Sequence, residues 1–202
     1  MKVLLTGFDA FGGDKINPAL MTIEAIAKQS AGTTQIVTCE LPTVFGKSAA
    51  AVIEAIDREN PSIVVSLGLY AGSPEIHVER VAINCDDARI PDNEKKQPVD
   101  QPVVEGAPAA YFATLPVKKI VQRMRDNGVP ACVSNSAGTF VCNHVMFSVL
   151  HHIASKGLPI RAGFIHVPCV PEQAVDKQAV SSMSLDTIKK AVMLAVEACV
   201  EE

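Results

Sequence analysis

The sequence predicts an α/β protein: one three-layer α/β/α domain over residues 1–202, with a mostly parallel twisted sheet and an inserted hairpin or arm. Three observations lead there. Short apolar runs alternate with amphipathic stretches in β-α-β-α order. The runs are continuously apolar rather than alternating, as strands covered on both faces are. At 202 residues, 48% hydrophobic and 20% charged, the chain can fill one full-sized core and is too apolar to be disordered.

Each element follows from local chemistry. Val3-Leu4-Leu5-Thr6 is an apolar run halted at Gly7, as a buried strand would be. Asn17 is a helix cap with Pro18 at the first helical position, and Leu20, Ile23 and Ala27 mark one face. Gln35 to Cys39 reads as the second strand. Ala49 to Arg58 is helical through Val52, Ile53 and Ile56 and ends before Asn60-Pro61. Ile63 to Gly68 is the clearest central strand. Residues 71–109 then break the rhythm. Glu79 to Asn84 is extended, but Pro91, Pro98, Pro102 and Pro108 make the rest a long irregular excursion, of a length that is usually functional or interfacial. Pro116 opens a helix through Val117, Ile120, Val121 and Met124, ended by Gly128. Ala131 to Ser134 is a strand, Cys142 to Lys156 a helix ended by Gly157, and Ala162 to Val167 another strand. Leu185 to Val200 closes the chain as an amphipathic helix capped by Ser184.

Composition excludes several classes of function. Lys+Arg 18 against Asp+Glu 22 gives −4, without a basic run, so capture of nucleic acid has no electrostatic support. No apolar stretch approaches the ~20 residues of a membrane span. Met1 to Gly7 meets polar residues too soon for a signal-peptide core, which predicts a cytoplasmic chain. The six cysteines are scattered without a C-x-x-C pair, against a disulfide framework or a zinc ribbon, and most are expected to be buried.

In an open α/β sheet, sites gather beyond the carboxyl ends of the strands. Gly7 to Gly13, Gly68 to Gly72, Ser136 to Cys142 and His166 to Pro168 all follow apolar strands, and converge on one rim if the strands run parallel. Cys142 opens a helix, where backbone N–H groups and the macrodipole favour a thiolate and an oxyanion; the competing role is an inert buried cysteine. His166 sits at a strand's carboxyl end, where it is either a base or a satisfied core histidine. Glu79 is either an ion-pair partner of Arg80 or Arg89 or the acid that orients His166 in a Cys–His–acid array. His144, His151 and His152 share a helix without the spacing of a metal site, and His77 is expected at the surface. Gly46-Lys47-Ser48 imitates the end of a phosphate-binding loop, but Leu41 and Pro42 stand where its first glycine and cradle are required. Gly7 and Gly12-Gly13 enclose two phenylalanines, which favours an apolar clamp over a dinucleotide site.

Taken together, five segments resemble the pyrrolidone-carboxylate peptidases (pyroglutamyl peptidase I), in that family's order over about residues 1–173. They are Thr6-Gly7-Phe8-Asp9-Ala10-Phe11-Gly12-Gly13 with Asn17-Pro18, Glu79 to Asn84, Asp87 to Asn93, Ser136 to Asn143, and Gly163 to Pro168. The resemblance implies a cysteine peptidase that removes N-terminal pyroglutamate without metal or cofactor, on a three-layer fold that usually forms cytoplasmic tetramers. It makes Cys142 the nucleophile, His166 the general base and acid, and Glu79 the acid orienting it. It sets Phe8, Phe11 and Phe140 in or beside the lactam pocket and Arg89 near the active site. Asn17 is then a helix cap that also supports the clamp. Relatives usually read Gly-Gln-Ala-Gly-Gly-Arg where this chain has Gly68-Leu69-Tyr70-Ala71-Gly72-Ser73, and proline where it has Val78. Leu69 suits lactam recognition only if backbone amides carry it. That altered segment motivates a second reading, a non-catalytic protein binding a small cyclic amide. A third, a nucleoside-type phosphorylase or hydrolase, is weakened by the poor phosphate motifs.

Overall fold

The computed structural model describes residues 1–27 and 34–201. Six strands form the main sheet: β1 (Lys2–Phe8), β2 (Gln35–Leu41), β3 (Ile63–Leu69), β4 (Ile76–Glu79), β7 (Ala131–Ser134) and β8 (Arg161–Val167), in the order β2-β1-β3-β8-β4-β7. A second, two-stranded antiparallel ribbon pairs β5 (Val81–Ile83) with β6 (Ala110–Phe112). The helices are α1 (Pro18–Ala27), α2 (Lys47–Glu59), α3 (Val117–Asp126), α4 (Val141–Lys156), α5 (Pro171–Ala174) and α6 (Leu185–Val200).

Strand alternation divides the core in two. Val3, Leu5, Val65, Leu67, Val78 and Ile165 point to the side covered by α1, α3 and α6. Leu4, Phe8, Val64, Ala162 and Phe164 point to the side covered by α2, α4 and the ribbon. The arrangement is the expected three-layer α/β/α, and four of the five strand pairings in the main sheet are parallel. The fifth is not. β4 pairs antiparallel with β8, so β4 and β7 run against the other four strands.

Several boundaries differ from the sequence reading for identifiable reasons. β1 runs through Gly7, whose missing side chain lets α1 approach: a Cβ there would lie 2.6 Å from the Ala19 carbonyl oxygen. β3 runs through Gly68 to Leu69. Pro116 is the cap of α3 and not its first residue. The segment read as one extended run from Glu79 is split between two sheets, β4 closing the main one and β5 joining β6. The short β6 and α5 carry too little periodicity to be found from sequence. Of the cysteines, only Cys169 and Cys199 are buried; the other four are partly exposed, because Cys39 and Cys132 lie on the edge strands β2 and β7, Cys85 in a loop and Cys142 at the start of α4. Among the described residues, no helix is long and apolar enough to cross a membrane.

Candidate active site

The reversal of β4 brings two polar side chains together on the α4 side of the sheet. On β8, Ala162, Phe164 and His166 share that face. On β4, His77 lies opposite His166 and Glu79 opposite Phe164, so His166 and Glu79 are diagonal neighbours across an antiparallel pair. Their side chains meet: His166 Nδ1 is 2.8 Å from Glu79 Oε1. Both are buried, Glu79 at 1% exposure. A carboxylate at that depth requires a charged or hydrogen-bonded partner, and the imidazole is the one it has; its Oε2 has no protein partner.

Cys142 is the second residue of α4, on a first turn that no side chain caps. The leading N–H groups of a helix lack intrahelical acceptors, so this turn presents donors and positive potential beside the sulfur. Gly68 makes the seat for that sulfur. It lies in register with His166 on the neighbouring strand, and a Cβ built on it would stand 2.8 Å from both Cys142 Sγ and Phe164 Cζ. With Nδ1 held by Glu79, the other ring nitrogen of His166 is left for Cys142. Burial alone would depress the basicity of His166. The charge and hydrogen bond of Cys142, joined by those of Glu79, outweigh it and push the imidazole pKa up to about 10. Both neighbours thus favour the protonated ring.

A cavity of about 730 Å³ opens over this array. Cys142, His166, Glu79, Phe11, Phe140, Leu69 and Arg89 all line it. The rings of Phe11 and Phe140 are 6.1 Å apart and tilted by 38°. Arg89 is exposed at its edge. Two residues expected in the pocket lie outside it. Phe8 is buried in the core, its ring 6.3 Å from Phe164, because β1 continues through it and turns it under the α2 layer. Asn17 accepts from Ala19 N–H at 3.0 Å as the cap of α1, and donates from Nδ2 to the Asp9 carbonyl at 2.8 Å, which pins the loop carrying Phe11. His77, expected at the surface, is half-buried and lines the cavity, since β4 belongs to the main sheet. The four segments past the apolar strands do approach one another, but β7 arrives from the opposite direction, and the loop at 135–140 carries the chain back to α4.

The residues that hold this geometry carry weak sequence signals. Asn143 is fully buried: its Oδ1 accepts from Ile83 N–H at 3.0 Å, and its Nδ2 donates to the carbonyls of Ile83 and Cys85 at 2.9 and 3.0 Å. His144 Nδ1 meets Asp86 Oδ2 at 2.8 Å, and its Nε2 accepts from Gly46 N–H at 3.0 Å. The apparent phosphate-loop glycine is thus the left-handed cap of α2 (φ 78°), its amide engaged by a histidine. Asp87 N–H donates to the Thr139 carbonyl and Thr139 Oγ1 donates back, at 3.0 and 2.7 Å. The long excursion is thereby tied to the residues around Cys142. An Asn or His near a helix start reads as a cap or a surface group, so only the position of these two beside Cys142 could have flagged them.

Comparison with known proteins decides the family. The family model described as pyroglutamyl peptidase matches residues 1–202. The chain belongs to the pyroglutamyl peptidase family. The pyrrolidone-carboxylate peptidase of Treponema denticola is 51% identical over 205 residues, covering all of this chain and 94% of that protein. That of Clostridium perfringens strain SM101 is 52% identical over 200 residues, covering 99% and 93%. The crystal structure of pyroglutamyl peptidase I from Bacillus amyloliquefaciens superposes with a TM-score of 0.96 at 45% identity, covering 100% of this chain and 95% of that one. A mutant pyrrolidone carboxyl peptidase from Pyrococcus furiosus gives the same score and identity, covering 100% and 99%. The family is one of cysteine-type hydrolases, and membership in it does not favour the binding-protein reading.

Proposed function

We propose that the protein is an exopeptidase that hydrolyses the bond following an N-terminal pyroglutamyl residue, with Cys142 as nucleophile, His166 as general acid and base, and Glu79 as the acid that orients His166. The observation that carries this reading is the convergence of a helix-start sulfur, an imidazole and a buried carboxylate on one cavity.

The chemistry follows from how the three groups are placed. The thiolate of Cys142 attacks the pyroglutamyl carbonyl carbon, and the first-turn amides of α4 receive the developing oxyanion, an interaction worth ~3–4 kcal/mol per donor in other enzymes. The imidazolium of His166 gives its proton to the departing amine as the C–N bond breaks, leaving a thioester and a neutral ring. That ring then takes a proton from water, whose oxygen displaces the sulfur and releases pyroglutamic acid. Pyroglutamate is an uncharged lactam, so its pocket needs apolar walls and a donor–acceptor pair and no carboxylate for an α-ammonium. Phe11, Phe140 and Leu69 supply walls, with Arg89 at the edge; backbone groups of the Leu69 segment are assigned the lactam amide. The reading treats residues 1–202 as one domain, supported by two cores that share a single sheet. It also takes the protein as a cytoplasmic homotetramer. Exposed Phe112 and Ile83, on the outer face of the β5–β6 ribbon, support contact between copies, and the molar mass by light scattering tests it.

The deciding assay is turnover of a pyroglutamyl amide with a fluorescent leaving group by reduced protein, alongside Cys142→Ala. Turnover by the native protein alone is expected. No turnover, or equal turnover by both, removes the assignment, and saturable pyroglutamate binding without cleavage restores the binding-protein reading.

A further inference from the structure

Beside the cavity lies a second cluster that this reaction does not use. Glu75, His77 and Cys132 each present one donor atom, and the three atoms lie within 4.8 Å of one another. Strand geometry brings them together. Glu75 stands immediately before β4 and His77 lies on it, and Cys132 on β7 is the register partner of His77. All three are half-buried. Carboxylate oxygen, imidazole nitrogen and thiolate sulfur bind zinc at ~2.0–2.3 Å, so tetrahedral ligand atoms stand roughly 3.3–3.8 Å apart. Small side-chain rotations close this set around an ion.

A neighbouring group prepares the imidazole independently. Ser73, 5% exposed, donates its hydroxyl proton to the Glu75 carbonyl at 2.8 Å and accepts from Glu75 N–H at 3.2 Å. With that single proton used, its 2.8 Å contact to His77 Nε2 requires the ring to donate. His77 is thereby held with its proton on Nε2 and its lone pair on Nδ1. A metal-binding histidine is commonly oriented in this way, by an acceptor on its other nitrogen.

The geometry points to a binding site for a divalent cation of zinc-like softness, held by the Glu75 carboxylate, His77 Nδ1 and the Cys132 thiolate, with water in the fourth position. The thiol proton leaves to solvent as the S–metal bond forms. The His77 ring packs edge-on against Tyr70 at 5.0 Å, and Tyr70 lies 5.9 Å from the His166 ring. An occupied site therefore stiffens the cavity wall and lowers turnover without touching Cys142.

Cobalt(II) is the probe, titrated into Cys142→Ala protein so that the catalytic thiol cannot contribute. One equivalent is expected to produce a near-ultraviolet sulfur-to-cobalt band with strong visible bands of tetrahedral cobalt. Adding Cys132→Ser should abolish the ultraviolet band, and adding Glu75→Gln should weaken binding at least tenfold. In protein that keeps Cys142, Cys132→Ser should retain metal-free turnover and lose part of its sensitivity to Zn²⁺. No band in Cys142→Ala protein, or a band that survives Cys132→Ser, overturns the site. Should Cys132→Ser fail to fold, an unchanged cobalt affinity in Glu75→Gln does the same. The cobalt readout is independent of peptidase activity, so it fails or succeeds separately from the proposed function.

Discussion

Gly68→Ala isolates the seat of the sulfur. Gly68 has no left-handed backbone requirement, so alanine fits its conformation. Its Cβ would nevertheless stand 2.8 Å from Cys142 Sγ, 2.8 Å from Phe164 Cζ and 2.9 Å from Phe164 Cε1. Comfortable separations are ~3.5–4.0 Å, so about 1 Å of displacement must be shared between the sulfur and a fully buried ring. Phe164 is hemmed in by the core, which leaves the sulfur to take much of it. Misplacing a reacting group by ~1 Å costs on the order of 10²-fold in rate, or about 2.7 kcal/mol on the barrier. Overpacking adds about 1–3 kcal/mol of destabilisation, or roughly 2–12 °C in Tm for a chain of this size. Gly163→Ala is the control: its Cβ would meet Leu115 Cδ1 at 2.8 Å, on the opposite face of the sheet. The assay is kcat/KM on the fluorogenic amide, with the rate of iodoacetamide labelling at Cys142 and the Tm of each variant. Gly68→Ala should lose ~100-fold in kcat/KM and label more slowly, while Gly163→Ala loses stability alone. Native kcat/KM and labelling rate in Gly68→Ala would refute the reasoning.

Other perturbations read different parts of the array. Glu79→Gln keeps the volume but removes the charge facing the imidazolium, and kcat should fall by ~10²–10⁴-fold; a loss under threefold denies Glu79 its orienting role. Because the folded pKa of His166, about 10, exceeds the ~6.5 of the unfolded chain, its stabilisation is complete below pH 6.5 and is lost as pH rises through 10. The Tm advantage of native protein over His166→Gln should shrink between pH 6 and 10; a constant gap contradicts the coupling. The raised pKa of Cys132, about 11, affects both proteins alike and cancels. Asn143→Ala leaves Ile83 N–H and the Cys85 carbonyl without their partner, while the Ile83 carbonyl keeps Cys85 N–H, at a cost of about 2–4 kcal/mol. Residues 83–101 should then become more accessible to proteolysis, and an unchanged cleavage pattern argues against the tether.

The layers and the site residues were legible in the sequence to different depths. Apolar runs such as Ile63 to Leu67 report burial on both faces, so the layered fold could be read from them. The direction of β4 could not, because hydrophobic patterning is blind to strand polarity. That polarity makes Glu79 and His166 diagonal neighbours, so the residues alone left Glu79 between an ion-pair partner and the orienting acid, and the resemblance of its motif chose the second. Cys142 and His166 were visible as unusual residues at the ends of regular elements. Phe8 was not placed correctly: a phenylalanine beside glycines reads equally as a loop clamp or a strand end, and the extension of β1 decided it. Gly68 read as a terminator, since a missing side chain gives no hint of what fills its space. Glu75, His77 and Cys132 are separated by up to 57 positions, a spacing that no short metal motif contains.

Cys142, Asn143 and His144 leave one helical turn about 100° apart and engage the cavity, the ribbon and the cap of α2 in turn. The aim of the sulfur is consequently borrowed from two side chains that never meet substrate. Loosening the loops they grip swivels the turn while the sheet beneath stays intact. Mild denaturant should therefore silence this molecule well before its circular dichroism changes.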